Sequence, residues 1–374
     1  MRGQMMLKKI FFYVKLSLFP VLCWPQSKDA TRLKMTCVKL YQYFCIILAI
    51  CLQLPVIYTM TNHLDDLLVL VELILGMSAL THSIGNFISR ILYEHRIRYV
   101  TFEMIDFSEL IKPHEDIIIQ RYIDKCIILY GASLITFYLA SVIVITLPFV
   151  MDQPFPLLTE YPFDAYHQPL KTVLYIHQVI VGIHVSGQLC SNVFMALLLW
   201  FASARFEILT EELRKTTDIY HLVKCIRKHQ HLLKYANEAV LAARPFALTT
   251  VCCSTVCMVI LCLLLLTNRS MMLVLKCFAL VMSGLSEVFM YTWPAEHLIY
   301  MSQDVGQAAF DMSWYDRSIE IRNCIQIIMQ RSQKPVTIAI PCVMPTLSLN
   351  YFASYCSTII SFFTTFRAFL NEAE

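Results

Sequence analysis

Seven stretches of this 374-residue chain are each 20 to 29 residues long and predominantly apolar, and that pattern constrains the fold more than any other feature. A helix crossing a bilayer needs roughly 20 predominantly apolar residues, because hydrocarbon cannot satisfy free backbone N–H and C=O groups. The stretches lie near 40–59, 68–89, 126–147, 173–201, 247–266, 272–299 and 345–366. Charged residues make up 15% of the chain, against about 25% in a soluble domain, and hydrophobic residues 57%. A soluble core could not hide that much apolar surface, so the expected fold class is an all-α membrane protein with seven transmembrane helices. The odd number of spans and the lack of an internal repeat argue against a transporter built from two equal halves.

Lys and Arg set the expected orientation. Segments 1–39, 90–125, 202–246 and 300–344 hold 26 of the 30 basic residues. Lys171, Arg269 and Arg367 fall on the other side, and Lys276 lies inside a span. The amino-terminal segment 1–39 is therefore expected in the cytoplasm and the tail 367–374 outside, flanking a transmembrane domain over 40–366. This is the reverse of G-protein-coupled receptors. Lys8-Lys9 and the following apolar run resemble a signal peptide, but Lys15 interrupts the run and no small-residue cleavage site follows, so an interfacial amphipathic segment is expected. All fifteen cysteines fall in spans or on the expected cytoplasmic side, which predicts free thiols rather than a disulfide framework. The sequon Asn268-Arg269-Ser270 sits hard against two spans and is read as unused.

Few motifs carry chemistry. His114-Glu115-Asp116 starts like a zinc-protease motif but lacks its second histidine, and Cys253 and Cys257 read as buried thiols. No catalytic residue, metal site, cofactor or nucleic-acid partner is expected. The basic stretches suit the surface of anionic membrane lipid. Two polar lines inside spans stand out. His177, His184, Gln188 and Ser191 follow one another in the fourth, as interhelical hydrogen-bonding groups or ligand contacts. Ser354, Ser357, Ser361, Thr364/Thr365 and Ala368 recur at three- and four-residue spacing in the seventh, with Ile359, Ile360, Phe362, Phe363 and Phe366 over much of the rest. Such a stripe either packs helices and bonds back to its own carbonyls or lines a water pathway. Glu287 sits near mid-span and needs a proton, a partner or water. Segments 202–214, 219–246 and 319–330 are amphipathic beyond the spans, which predicts a cytoplasmic anchor layer within 202–246 and 300–344. Pro341 and Pro345 separate the last of these from the seventh span.

Several short runs in this order resemble the insect odorant receptors over nearly the whole length. They are Leu22-Cys23-Trp24-Pro25, Tyr161-Pro162-Phe163-Asp164 with Tyr175-Ile176-His177-Gln178, and Met290-Tyr291-Thr292-Trp293-Pro294-Ala295-Glu296. Ala308-Ala309-Phe310, Trp314-Tyr315, Met329 through Pro335, Leu347-Ser348-Leu349 and Phe366-Arg367 complete them. The ending Ser361 through Arg367 departs from the family's Tyr-rich close. The resemblance implies an odorant-gated cation channel subunit in the plasma membrane of olfactory sensory neurons. It would join a co-receptor in a heterotetramer, and its ligand would be a small volatile odorant or hydrocarbon. The short 202–246 segment marks a tuning subunit, since the co-receptor carries a longer loop there. On this reading Met77, Phe137, Tyr138, His177, Ile180, His184, Phe278 and Met282 are the candidate ligand contacts, and Ser354, Ser357, Ser361, Thr365, Ala368 and Phe369 the pore and gate. A gustatory-type receptor of the same superfamily would share the topology but lacks support from its own closing motif. A G-protein-coupled receptor or a transporter are the remaining alternatives.

Overall fold

The computed structural model describes residues 2–150, 153–267, 271–312, 314–315, 318–341 and 343–373. Their long elements are α1 (Arg2–Ser17), α2 (Arg32–Asn62), α3 (Leu67–Leu92), α4 (Glu94–Glu109), α5 (Pro113–Val150), α6 (Leu170–Arg214), α7 (Ile219–Thr267), α8 (Met271–Phe310), α9 (Ile319–Ser332) and α10 (Leu349–Ala373). Among the described residues, α2, α3, α5, α6 and α7 are long and apolar enough to cross a membrane by length and composition. The stretches expected near 272–299 and 345–366 fall on α8 and α10. Helix α10 starts four residues later than expected. Pro345 supplies no backbone donor, and Leu347 N–H donates instead to Ile338 O (2.9 Å), holding the chain extended up to Ser348. Residues 268–270, the expected tight turn and sequon between α7 and α8, lie outside the described residues.

Helix α6 is the central post. In its apolar window 83% of residues are buried, against 11% for α5, so α6 faces protein on all sides while α5 faces lipid along most of its length. Four helices that meet α6 (α5, α7, α8 and α3) form the bundle around it. Since lipid tails are as apolar as leucine, close packing and polar contacts hold such helices together.

Helices α6, α7 and α8 continue past their apolar windows at one end, here called the basic end. There they join α4 and α9 in a layer beyond the spans, as the amphipathic segments suggest; α4 was not anticipated. Ile321, Ile325 and Ile328 put the apolar face of α9 into the core. Ion pairs tie the layer: Arg205–Glu103 (3.1 Å), Arg96–Glu238 (2.5 Å) and Lys228–Glu212 (2.5 Å). The Arg205 guanidinium also stacks between Phe107 and Tyr235, 4.7 and 4.8 Å from their ring centres.

The amino-terminal segment packs on the bundle while keeping Met5, Phe12, Tyr13 and Leu16 exposed. Helix α1 packs on α5 and α6. Its first amides are capped by Asp116, which accepts from Gly3 N (3.2 Å) and Gln4 N (2.7 Å). A Cβ at residue 3 would stand 2.6 Å from Asp116 O, so glycine permits this approach. Near its far end Tyr138 Oη donates to Ser17 O (2.5 Å), and a 3-10 turn at Phe19–Val21 pushes Val21 against Gly187. The chain then turns back, with Arg90 Nε donating to Cys23 O (2.8 Å). After α1 the chain descends into the bundle and buries Leu18, Val21 and Cys23 in protein.

Candidate functional site

Helix α10 is built to use two faces differently. Its first turn is fixed by Ser348 Oγ, which accepts from Tyr351 N (3.0 Å), and by the Glu296 carboxylate, which accepts from Leu349 N (3.2 Å). Tyr351, Tyr355 and Ile359, four residues apart, dock it on α7 and α8 around Met258, Cys262 and Val288. Ser354, Ser357, Ser361, Thr365 and Ala368 are all exposed on the single chain. Ser361 Oγ donates back to Ser357 O (2.9 Å) and Thr364 Oγ1 to Ser361 O (2.9 Å), so part of the stripe satisfies itself within the helix. Ile360, expected on the covered apolar face, is 63% exposed. The docked strip is narrower than the hydropathy suggests, because Tyr351, Tyr355 and Ile359 carry it while Ile360 and Phe362 stay exposed. The side chain of Phe369 lies outside the described residues.

A polar hub crosses the bundle centre and joins four helices. Asn86 of α3 donates to Gln188 O of α6 (3.2 Å) and its Oδ1 accepts from Thr249 of α7 (3.0 Å). Tyr291 of α8 donates to Asn192 Oδ1 of α6 (3.0 Å). His82 Nε2 lies 3.2 Å from Thr250 Oγ1 and 3.4 Å from Asn192 Nδ2. Its Nδ1 stands 3.9 Å from the Glu287 carboxylate, a neighbour beyond hydrogen-bond distance. The sequence reading missed His82, Asn86, Asn192 and Tyr291. Their signal was present, since a span rarely carries asparagine or histidine without cause, but their mutual contacts join residues about 100 or more apart.

At the opposite, loop end, residues 153–169 fold over α2, α3 and α6. Gln178 ties this loop down, accepting from Leu157 N (2.9 Å) and donating to Thr159 Oγ1 (2.9 Å). Glu160 receives Asn62 Nδ2 (3.0 Å) and lies 2.7 Å from His63 Nε2; these hydrogen bonds hold its carboxyl below the usual range. His177 Nε2 is 3.0 Å from Leu48 O of α2, and Gln188 donates to Cys23 Sγ (3.2 Å) in the turn ahead of α2. His184 is buried with Tyr41 Oη 3.2 Å from Nε2, while its Nδ1 has no hydrogen-bond partner. The eight candidate ligand contacts do not gather around one space. Phe137 is buried and Met77 half-buried, while Ile180, Phe278 and Met282 are exposed on the bundle surface. Tyr138 alone of the eight lines a 970 Å³ apolar groove between α1 and α5.

With this geometry in hand, the chain was compared with known proteins. The model of the 7tm Odorant receptor family matches residues 86–360. Odorant receptor 22c of Drosophila melanogaster is 26% identical over 171 residues, covering 44% of this chain and 40% of that protein. The Odorant receptor coreceptor of Aedes aegypti is 35% identical over 80 residues, 21% of this chain and 16% of its own length. The chain thus spans less than half the length of these relatives. The structure of the insect olfactory receptor OR5 from Machilis hrabei in complex with eugenol superposes with a TM-score of 0.81, covering 97% of this chain and 98% of that one at 15% identity.

Proposed function

Because the chain belongs to the 7tm odorant receptor family, we propose that it is a subunit of an odorant-gated cation channel, acting with a co-receptor in the plasma membrane of olfactory sensory neurons. One observation carries the channel reading: α10 is docked by one strip and leaves a face of small and hydroxyl side chains uncovered. The back-bonds within the helix serve only part of this face, and water or another subunit would serve the rest. Several such helices meeting on a common axis supply both, and the face 354–357–361–365–368 becomes the wall of a pore. Phe369 and Thr365 form the gate near the outer end, closing by dewetting. The outside carboxylates Asp152, Glu160, Asp164, Glu372 and Glu374 favour cations.

The basic end lies in the cytoplasm, as the lysine and arginine distribution requires, and its helical layer joins the subunits. The ligand is a small volatile odorant or hydrocarbon of the kind whose receptor, bound to eugenol, shares this fold. It enters from the loop end, with His177 and His184 as its proposed contacts; Met77, Phe137, Tyr138, Ile180, Phe278 and Met282, which do not share one space with them in this chain, could contribute only after a rearrangement. The segment similar to a coreceptor supports assembly with one.

Cysteine accessibility tests the pore. Thr365→Cys and Ala368→Cys, co-expressed with a co-receptor, react with a charged thiol reagent at least about tenfold faster when odorant is present, and the current falls. Cysteine at Ile359, on the docked strip, reacts slowly in both states. Equal rates on the two faces would make the stripe a packing feature.

A further inference from the structure

The seam between α1 and α5 contains two concavities that follow one another along α5. Gln120, Asp124, Ile127, Gly131, Ile135 and Leu139 recur at three- and four-residue spacing, which places them in one row. The upper concavity is the 970 Å³ groove, walled almost wholly by apolar side chains and floored by α6. The lower one, at the basic end, measures 400 Å³ and is lined by Arg2, Asp116, Ile117, Gln120, Arg121 and Asp124. From Asp124 to Ile135 the helix rises about 16 Å, close to one leaflet of a hydrocarbon core of about 30 Å. An apolar slot one leaflet deep, with a charged mouth at the level of the headgroups, has the dimensions of a lipid site.

The mouth is also selective in charge. Arg2 and Arg121, the latter also paired with Glu207 (2.6 Å), offer guanidinium groups to a phosphate. Asp124 is a carboxylate beside them, and Gln120, whose amide donates to Asp124 (2.6 Å), keeps a buried Oε1 with no hydrogen-bond partner. An acceptor in that position needs an N–H or O–H donor. Gly131 forms part of the groove wall, and a Cβ built there meets nothing within 4 Å, so the space above it is open. Helix α1 holds the slot open because Asp116 caps one end of it and Tyr138 binds the other.

We propose that this seam holds one phosphatidylethanolamine molecule of the leaflet at the basic end, its phosphate at Arg2 and Arg121, its primary ammonium at Asp124 and Gln120, and an acyl chain in the groove past Gly131. A choline headgroup has no N–H to give and fits the mouth less well. The bound lipid completes the packing of α1 on α5.

The full-length receptor in lipid nanodiscs is exposed to phosphatidylethanolamine and phosphatidylcholine probes carrying the same photoactivatable acyl chain, and labelled peptides are mapped by mass spectrometry. The ethanolamine probe labels α1 and α5 about tenfold more than the choline probe. Gly131→Leu and, on the exposed rim, Ile135→Trp each cut that labelling about tenfold while thermal unfolding stays near wild type. Asp124→Asn removes the preference between headgroups. Equal labelling by both probes, labelling unchanged by both groove-filling variants, loss of labelling on adding odorant, or loss on assembly with the co-receptor would each overturn the assignment. The last two would instead give the groove to odorant or to a neighbouring subunit.

Discussion

His82 and Glu287 show how single residues decide the interior of a bundle that lipid cannot drive together. In hydrocarbon, a carboxyl without a partner is destabilising, and interhelical hydrogen bonds contribute only about 0.6 kcal/mol on average. Replacing His82 by leucine strips Glu287 of its neighbour and is expected to cost about 1–3 kcal/mol. Glu287→Gln costs less in the His82→Leu background than alone, with a coupling of about 0.5–3 kcal/mol. Thermal unfolding of the four variants in detergent measures it, and additivity would mean that the 3.9 Å contact carries nothing. His184 makes a different case, since its Nδ1 is buried and free of any hydrogen-bond partner. His184→Ala should change potency among odorants with hydrogen-bonding groups by about threefold to tenfold, and leave pure hydrocarbons and surface expression unaffected. A uniform shift across both ligand classes would assign His184 to packing alone.

Among elements, α7 and α9 meet in the layer at the basic end, where His229 provides a pH response outside the spans. Its ring is buried against Phe206, and burial first, then nearby Arg331, pushes its pKa down to about 4. The unfolded chain would bind a proton near pH 6.5. The folded form thus keeps its full stability above about pH 6.5 and loses it as pH falls from there toward about 4. At about pH 5 the loss amounts to about 2 kcal/mol. Comparing melting temperatures at about pH 7.5 and about pH 5, wild type drops and His229→Leu drops less. An equal drop would place the acid sensitivity elsewhere.

For the whole molecule, the expected topology has a direct test. A tag ahead of Met1 is detected only in permeabilised cells, while a tag after Glu374 is labelled on intact cells. Surface labelling of the amino-terminal tag would reverse the assignment of the basic end to the cytoplasm, and with it the outside position of the proposed gate. The proposed assembly would account for α10 as well: its docked strip is complete in one chain, and its opposite face would acquire neighbours only between subunits.

Much of this was legible in the residue order. Seven apolar runs, the one-sided lysines and arginines, the hydroxyl stripe on α10 and the amphipathic pieces beyond the spans are all local patterns, set by segment length and by three- and four-residue spacing. Other features required the fold. The descent of residues 18–23 into the bundle depends on Gly187 standing opposite Val21. The hub needs α3, α6, α7 and α8 side by side, and the anchoring of α10 by Tyr351 and Tyr355 rather than Ile360 depends on which face meets α7 and α8. Hydropathy could not separate these cases, because in a membrane the surface facing lipid is as apolar as the surface facing a neighbouring helix. Only the identity of the neighbour tells them apart.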